Sequence, residues 1–111
     1  MRRGDIYLVD FEPSVGAEIR KKRPALIISC DDANKYLRTV MVIPLSSRIE
    51  KVYPFEVLVT KGESGLETDS KLKIPQMRSV DKGRLTKYIG AVGADILGRV
   101  ETAIRLHLSL P

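Results

Sequence analysis

Cysteine and histidine are nearly missing from this chain, and tryptophan is absent: Cys30 and His107 are the sole examples of their kinds in 111 residues. One cysteine excludes an internal disulfide. One cysteine with one histidine excludes an ordinary structural zinc site, which draws on a full set of N and S ligands. It equally excludes a nuclease that works through a pair of histidines. Long apolar runs are also lacking. Ala25 to Ile28 and Val40 to Leu45 are the longest, far short of the roughly 20 residues that cross a membrane as a helix. The opening Met1-Arg2-Arg3-Gly4-Asp5 is basic, but Asp5 and Asp10 interrupt the apolar residues behind it. No signal peptide is expected there, and a cytoplasmic protein is. Neither a Walker loop nor a GxGxxG motif occurs, and there is no repeat or low-complexity tract.

What is present is ordinary for a soluble globular fold: 43% apolar and 30% charged residues. A chain of this size buries about two-thirds of its unfolded surface, enough for one core and not two. A single domain over 1–111 is therefore expected. The 19 basic against 14 acidic residues leave a net charge of +5, which favours an anionic partner without naming it.

The first half of the chain reads as strands. Asp5 to Phe11 carries apolar residues in both alternating registers, Ile6 and Leu8 in one, Tyr7, Val9 and Phe11 in the other. That pattern predicts burial on both faces. Glu12 to Arg23 reads as a loop, and Pro24 to Cys30 as a second strand with its proline at the first position. Asp31, Asp32 and Asn34 predict a short helical turn through Tyr36. Strands follow over Thr39 to Leu45, Phe55 to Val59, Lys71 to Ile74, Met77 to Val80 and Lys87 to Val92. The period then changes: Ile96, Leu97, Val100, Ala103, Ile104, His107 and Leu108 fall on one helical stripe, with Asp95 as the expected N-cap. Short strands with frequent turns and one terminal helix predict a small curled antiparallel sheet, mainly β with added helices.

Few residues stand out chemically. Arg20-Lys21-Lys22-Arg23 is the densest charge run, read either as a solvated loop or as a phosphate-contacting one. Arg78, set among strand residues, needs water or a partner, and pairing with Asp81 or Glu18 is the simpler reading. Ser46 and Ser47 follow an apolar strand, where hydroxyls meet phosphates at cleft mouths or merely turn the chain. His107 lies on the apolar stripe and reads as a core or interface residue, Cys30 as a small buried one. Tyr53 and Phe55 read as core residues flanking Pro54 rather than as stacking platforms. The acidic pairs Asp31-Asp32 and Glu67 with Asp69 sit in turn-rich stretches where aspartate is common, so no metal site is assigned.

Several blocks, in order and spacing, resemble one family. They are Arg3-Gly4-Asp5-Ile6-Tyr7-Leu8-Val9-Asp10-Phe11 with Pro13, Gly16 and Glu18; Arg23-Pro24-Ala25-Leu26-Ile27-Ile28-Ser29; Pro44-Leu45-Ser46-Ser47; and Gln76-Met77-Arg78-Ser79-Val80-Asp81-Lys82 followed by Arg84-Leu85. Together they resemble the MazF/PemK (Kid-like) toxins across nearly the whole chain. The resemblance implies an SH3-like barrel with added helices, shared in outline with toxins of the CcdB type, and a homodimer. It implies a metal-independent endoribonuclease with no cofactor, cutting single-stranded RNA, often mRNA, at a short sequence. It also implies an antitoxin partner that lies along the RNA groove.

By position, Arg23 matches the family's catalytic arginine, Ser46 its active-site hydroxyl residue and Ser47 the residue after it. Gln76 and Arg78 match the block lining the RNA groove, and Glu18 the acid of the first loop. Catalytic roles are thus expected for Arg23, Ser46, Glu18 and Arg78. RNA contacts are expected for Arg20, Lys21, Lys22, Ser47, Lys73 and Gln76. The chain departs from the pattern at Pro75, where several relatives carry an acid, and at Lys73, where one has an arginine; a lysine keeps the charge but not the bidentate fork. Glu18 is then the remaining candidate base. Two other readings share the fold: a poison that binds DNA gyrase, and a nucleic-acid-binding barrel without catalysis. The joint presence of Arg23, Ser46, Gln76 and Arg78 favours the nuclease over the first, while Pro75 and Lys73 keep the second open.

Overall fold

A computed structural model describes residues 1–111. Seven strands form one antiparallel sheet in the order β4-β5-β3-β2-β1-β7, with β6 also on β3. They are β1 Asp5–Asp10, β2 Lys22–Ile27, β3 Thr39–Ser46, β4 Glu56–Val59, β5 Ser70–Lys73, β6 Arg78–Asp81 and β7 Leu85–Ala91, with helices α1 Asp31–Tyr36 and α2 Ala94–Leu108. The long β3 explains the curl. Its Ala25-, Leu26- and Ile27-facing part ends at Pro44, after which Leu45 and Ser46 pair with Leu72 and Lys71 of β5. Pro44 has no N–H to extend the β2 ladder, so the strand changes partners there instead of ending.

Burial on both faces holds for the central strands. Ile6, Leu26, Ile43 and Leu45 enter a core shared with Leu72, Ile96 and Val100. The alternate residues Val9, Ala25, Ile27, Val40 and Val42 enter a second core with Phe11 and Val80. The period of two along a strand sends neighbours to opposite sides, so apolar residues in both registers require two cores.

Several boundaries and burial states differ from the sequence expectation. The predicted loop ends at Lys21, because Lys22 and Arg23 already pair with Asp10 and Val9 of β1. β2 stops at Ile27, leaving Cys30 exposed ahead of α1 rather than buried. Asn34 is not a cap but a buried anchor, its amide donating to the Ser29 carbonyl at 2.9 Å while its carbonyl accepts from the Ser29 hydroxyl. Ile74–Gln76 forms a 3-10 turn between β5 and β6 instead of extending a strand. In α2 the N-cap position belongs to Gly93, while Asp95 sits in the first turn and pairs with Arg99 at 3.2 Å. His107 is exposed near the helix end, its ring meeting Phe55 edge-on at 5.4 Å. Tyr53 and Phe55 are 50% and 37% exposed, not core, because the strand begins only at Glu56.

The curled sheet closes where the turn before β5 meets β7. A side chain at Gly90 would overlap the Ser64 carbonyl, and one at Gly65, whose φ is +84°, would stand 3.0 Å from the Ile89 carbonyl oxygen. Gly90→Ala is therefore expected to lower the melting temperature markedly, since backbone must move rather than a side chain end. Gly98→Ala, in mid-α2 with open space around its Cβ position, is expected to raise stability by about 0.5–1 kcal/mol. Paired thermal melts check both, and a neutral Gly90→Ala would mean that this closure is loose.

Candidate functional site

Arg23 is the second residue of β2, so a strand and not a loop holds its backbone. Its Nε donates to the Arg20 carbonyl at 3.2 Å, and the guanidinium has no acidic partner. The terminal nitrogens are left as paired, planar donors. Arg23 and Pro24 border a hollow of about 420 Å³ with Leu8, Leu45 and Leu66. Ser47 lines the same hollow, whereas Ser46, one residue earlier, ends β3 and accepts the Arg48 N–H on its hydroxyl at 3.2 Å. The other wall is Glu67, Thr68, Lys87 and Tyr88.

Glu18 and Arg78 meet at a second hollow of about 410 Å³, with Ile19, Pro75, Gln76 and Met77. One Glu18 carboxylate oxygen accepts the Val15 N–H at 2.6 Å, which folds the β1–β2 loop on itself. Gln76 clamps that loop from below: its carbonyl accepts from the Ile19 N–H and its amide donates to the Ala17 carbonyl, both at 3.2 Å. Both ends of the Gln76 side chain are thus committed to the loop. Arg78 forms no ion pair with Asp81 or Glu18, contrary to the simpler sequence reading. Its guanidinium is free of acidic partners.

The rest of the loop is held electrostatically. The Glu12 carboxyl lies below its ordinary range because the Ser14 hydroxyl and the Lys21 N–H donate to it, with Arg20 nearby. Lys21 takes the left-handed conformation, φ 65°, which is costly for a side chain bearing a Cβ and here turns the chain into β2. Arg84 ties the other side, its Nη1 donating to the carbonyls of Asp10 at 3.0 Å and of Glu12. Arg20, Lys21 and Lys22 are exposed beside Arg23. Lys73 stands apart from both hollows, opposite Glu56 in the β4–β5 register.

The structure therefore brings Arg23 to Ser47, and Glu18 to Gln76 and Arg78, while Ser46 and Lys73 border neither hollow. Sequence reasoning passed over Lys87 and Tyr88 as strand residues, and over Glu67 and Thr68 as a turn. No motif marks them: the β2-β1-β7 ladder sets Lys87 and Tyr88 two strands from Arg23 and Pro24, and the turn before β5 brings Glu67 and Thr68 to the same hollow. The acidic pairs do not converge either. Asp31 accepts the Arg3 N–H at 2.7 Å and Asp69 the Lys61 N–H at 2.9 Å, and no group of three His, Cys, Asp or Glu side chains comes together. No helix is long and apolar enough to cross a membrane.

A small, curled antiparallel β protein, with partner-free guanidinium donors beside hydroxyls at one rim, is the class that fold and site define. The chain belongs to the PemK-like, MazF-like toxins of type II toxin-antitoxin systems, whose family model matches residues 2–108. It is 41% identical over 115 residues to endoribonuclease MazF9 of Mycobacterium tuberculosis, covering 99% of this chain and 98% of that protein. It is 33% identical to endoribonuclease EndoA of Bacillus subtilis, covering 99% and 96%. The fold superposes on the crystal structure of MazF from Deinococcus radiodurans with a TM-score of 0.86 at 26% identity, covering 99% of this chain and 97% of that one.

Proposed function

We propose that this toxin is a metal-independent, sequence-specific endoribonuclease that cuts single-stranded RNA, mRNA included, in the cytoplasm. It acts as a homodimer and is restrained by a cognate antitoxin. The observation that carries the reading is Arg23: a guanidinium fixed by one bond at 3.2 Å and otherwise unpartnered, at the lip of a hollow it shares with Ser47. The naming of two full-length relatives as endoribonucleases supports it.

The chemistry draws on the groups at hand. The ribose 2′-OH attacks the adjacent phosphorus, the P–O5′ bond breaks, and the products are a 2′,3′-cyclic phosphate and a 5′-OH. Arg23 grips the phosphoryl oxygens at two points and stabilises the charge that develops there. Ser47, in the same hollow as Arg23, positions the phosphate by a hydrogen bond from its hydroxyl, and Ser46, which borders neither hollow, supports the turn after β3 through the Arg48 N–H. The 2′-OH proton passes to Glu18, whose second carboxylate oxygen is free of the loop bond, and Arg78 shares the charge. The Arg23 guanidinium gives a proton to the O5′ leaving group, and the proton held by Glu18 returns to that guanidinium through water, so both groups regain their starting states. Arg20, Lys21, Lys22 and Lys73 contact the RNA backbone, and Gln76 contributes by holding the Glu18 loop against the groove.

The test is cleavage of a long unstructured RNA in EDTA with product ends mapped. Discrete cuts leaving 5′-OH ends are expected. Absence of cutting by well-folded protein across many sequence contexts would overturn the reading and favour a toxin that acts by binding gyrase or nucleic acid.

A further inference from the structure

Glu67, Thr68, Lys87 and Tyr88 line the same hollow as Arg23, yet the proposed phosphoryl transfer gives them no role. The Tyr88 ring is 54% exposed and is steadied by an edge contact with Tyr7, centroids 5.5 Å apart. Glu67 forms neither a hydrogen bond nor an ion pair, although Arg23 and Lys87 border the same hollow. Ser70 stiffens the turn from below, its hydroxyl donating to the Thr68 carbonyl at 3.2 Å. The Gly65–Ile89 approach holds the whole turn against β7.

An uncommitted carboxylate in a cleft for a polyanion cannot serve the phosphates, which it repels. Beside a base it is an acceptor that selects for N–H donors. Guanine presents adjacent N1–H and N2–H donors on its Watson–Crick edge, matching the two carboxylate oxygens. Uracil offers carbonyl oxygens on either side of its single N–H there. The aromatic ring supplies a stacking face of the kind that unpaired bases use. The volume of about 420 Å³ lies in the range, roughly 300–1,000 Å³, of pockets that enclose a small ligand.

We infer that this hollow is a nucleobase subsite in which Tyr88 stacks on one unpaired base next to the scissile phosphate and Glu67 selects guanine there. The inference rests on the ribonuclease reading for its connection to cleavage, but the subsite itself is measurable without it.

The experiment has two arms, each run with wild type, Glu67→Gln, Tyr88→Ala and Tyr88→Phe after thermal melts confirm folding. The first maps cut sites on a random-sequence RNA pool. The second measures anisotropy of fluorescent 2′-O-methyl hexamers, which cannot be cut, with each of the four bases placed at one position in turn. Glu67→Gln is expected to reduce guanine preference at a single position by about 5- to 100-fold, the range of one two-point base contact. Tyr88→Ala is expected to weaken hexamer binding by about 5- to 100-fold, and Tyr88→Phe to restore it. Unchanged cut sites and affinities within twofold for all variants would overturn the subsite while leaving the ribonuclease reading intact. Wild type that does not cut, but shows a guanine preference lost in Glu67→Gln, would sink the ribonuclease reading and keep the subsite.

Discussion

Arg23→Ala is expected to lower single-turnover RNA cleavage by roughly 10²–10³-fold, the usual loss when one donor to a developing oxyanion is removed. The variant stays folded, because β2 keeps Arg23 by its backbone ladder to Val9 and the side chain contributes only the bond to Arg20. A melting curve superimposable on wild type, with cleavage lost and hexamer affinity largely kept, is the expected combination. Arg23→Lys sharpens it. A lysine restores the charge but not the planar fork, so it recovers little of the rate. Cleavage by Arg23→Ala within about tenfold of wild type would remove this residue from the chemistry. Recovery by lysine would mean that charge alone matters.

The second large effect concerns stability. Lys71 and Glu56 form a salt bridge at 2.9 Å with side chains only 9% and 6% exposed. Lys71 also donates to the Lys51 carbonyl at 2.7 Å and lies over the Tyr53 ring, and Glu56 accepts the Tyr53 N–H at 3.0 Å. This one pair thus ties the β3–β4 loop to β5. Lys71→Met strands a buried carboxylate and is expected to cost about 3–5 kcal/mol in urea unfolding. A double variant with Glu56→Leu regains most of it, since removing both charges leaves none uncompensated. A single variant costing under about 1 kcal/mol would show that water reaches the pair.

The same pair has a pH signature. Burial pushes the Glu56 carboxyl upward, but the Tyr53 N–H and Lys71 outweigh it, with Lys73 adding, and hold it below its ordinary value of 4.5. A carboxyl depressed on folding stabilises the protein above its unfolded pKa, and that contribution drains away as pH falls through the folded value. Urea unfolding from pH 7 down to pH 3, about the span of carboxylate titration, is expected to show wild type losing stability below the ordinary carboxylate range. Lys71→Met should lose less over the same span.

What was legible in the sequence was whatever depends on neighbours along the chain. The strand cores at Tyr7–Val9, Ala25–Ile27 and Val40–Ile43, and the 3.6-residue stripe of α2, all lie where local pattern put them. The apolar content of both registers in β1 predicted burial on both faces, but the length-based expectation of a single core was wrong: the curled sheet packs a cluster against each face. Exposure was harder to read, because it is decided by what packs from elsewhere. Cys30, His107, Tyr53 and Phe55 lie outside the strands or near a helix end, where neighbours leave them exposed or only partly covered. The site divides the same way. Arg23 and the Gln76-Met77-Arg78 block stood out by charge and motif, while Tyr88 reaches the Arg23 hollow through the β2-β1-β7 pairing and Glu67 through the contact of the 64–68 turn with β7.

The doubly buried strands carry a consequence for how such a protein can change. β2 and β3 have little free surface on which to accept a new side chain, since one register fills one core and the other fills the second. Substitution there disturbs packing on a side that no function uses. Glu67, Thr68 and Tyr88 at the rim bear no such double duty, whereas Leu66 beside them belongs to the core. In the proposed subsite a different base preference is then accessible through two or three rim positions, with the scaffold and the proposed Arg23 phosphate contact carried over intact. Most of what folds the chain and most of what would choose its target fall on different residues, with Leu45 and Leu66 shared between the core and the hollow.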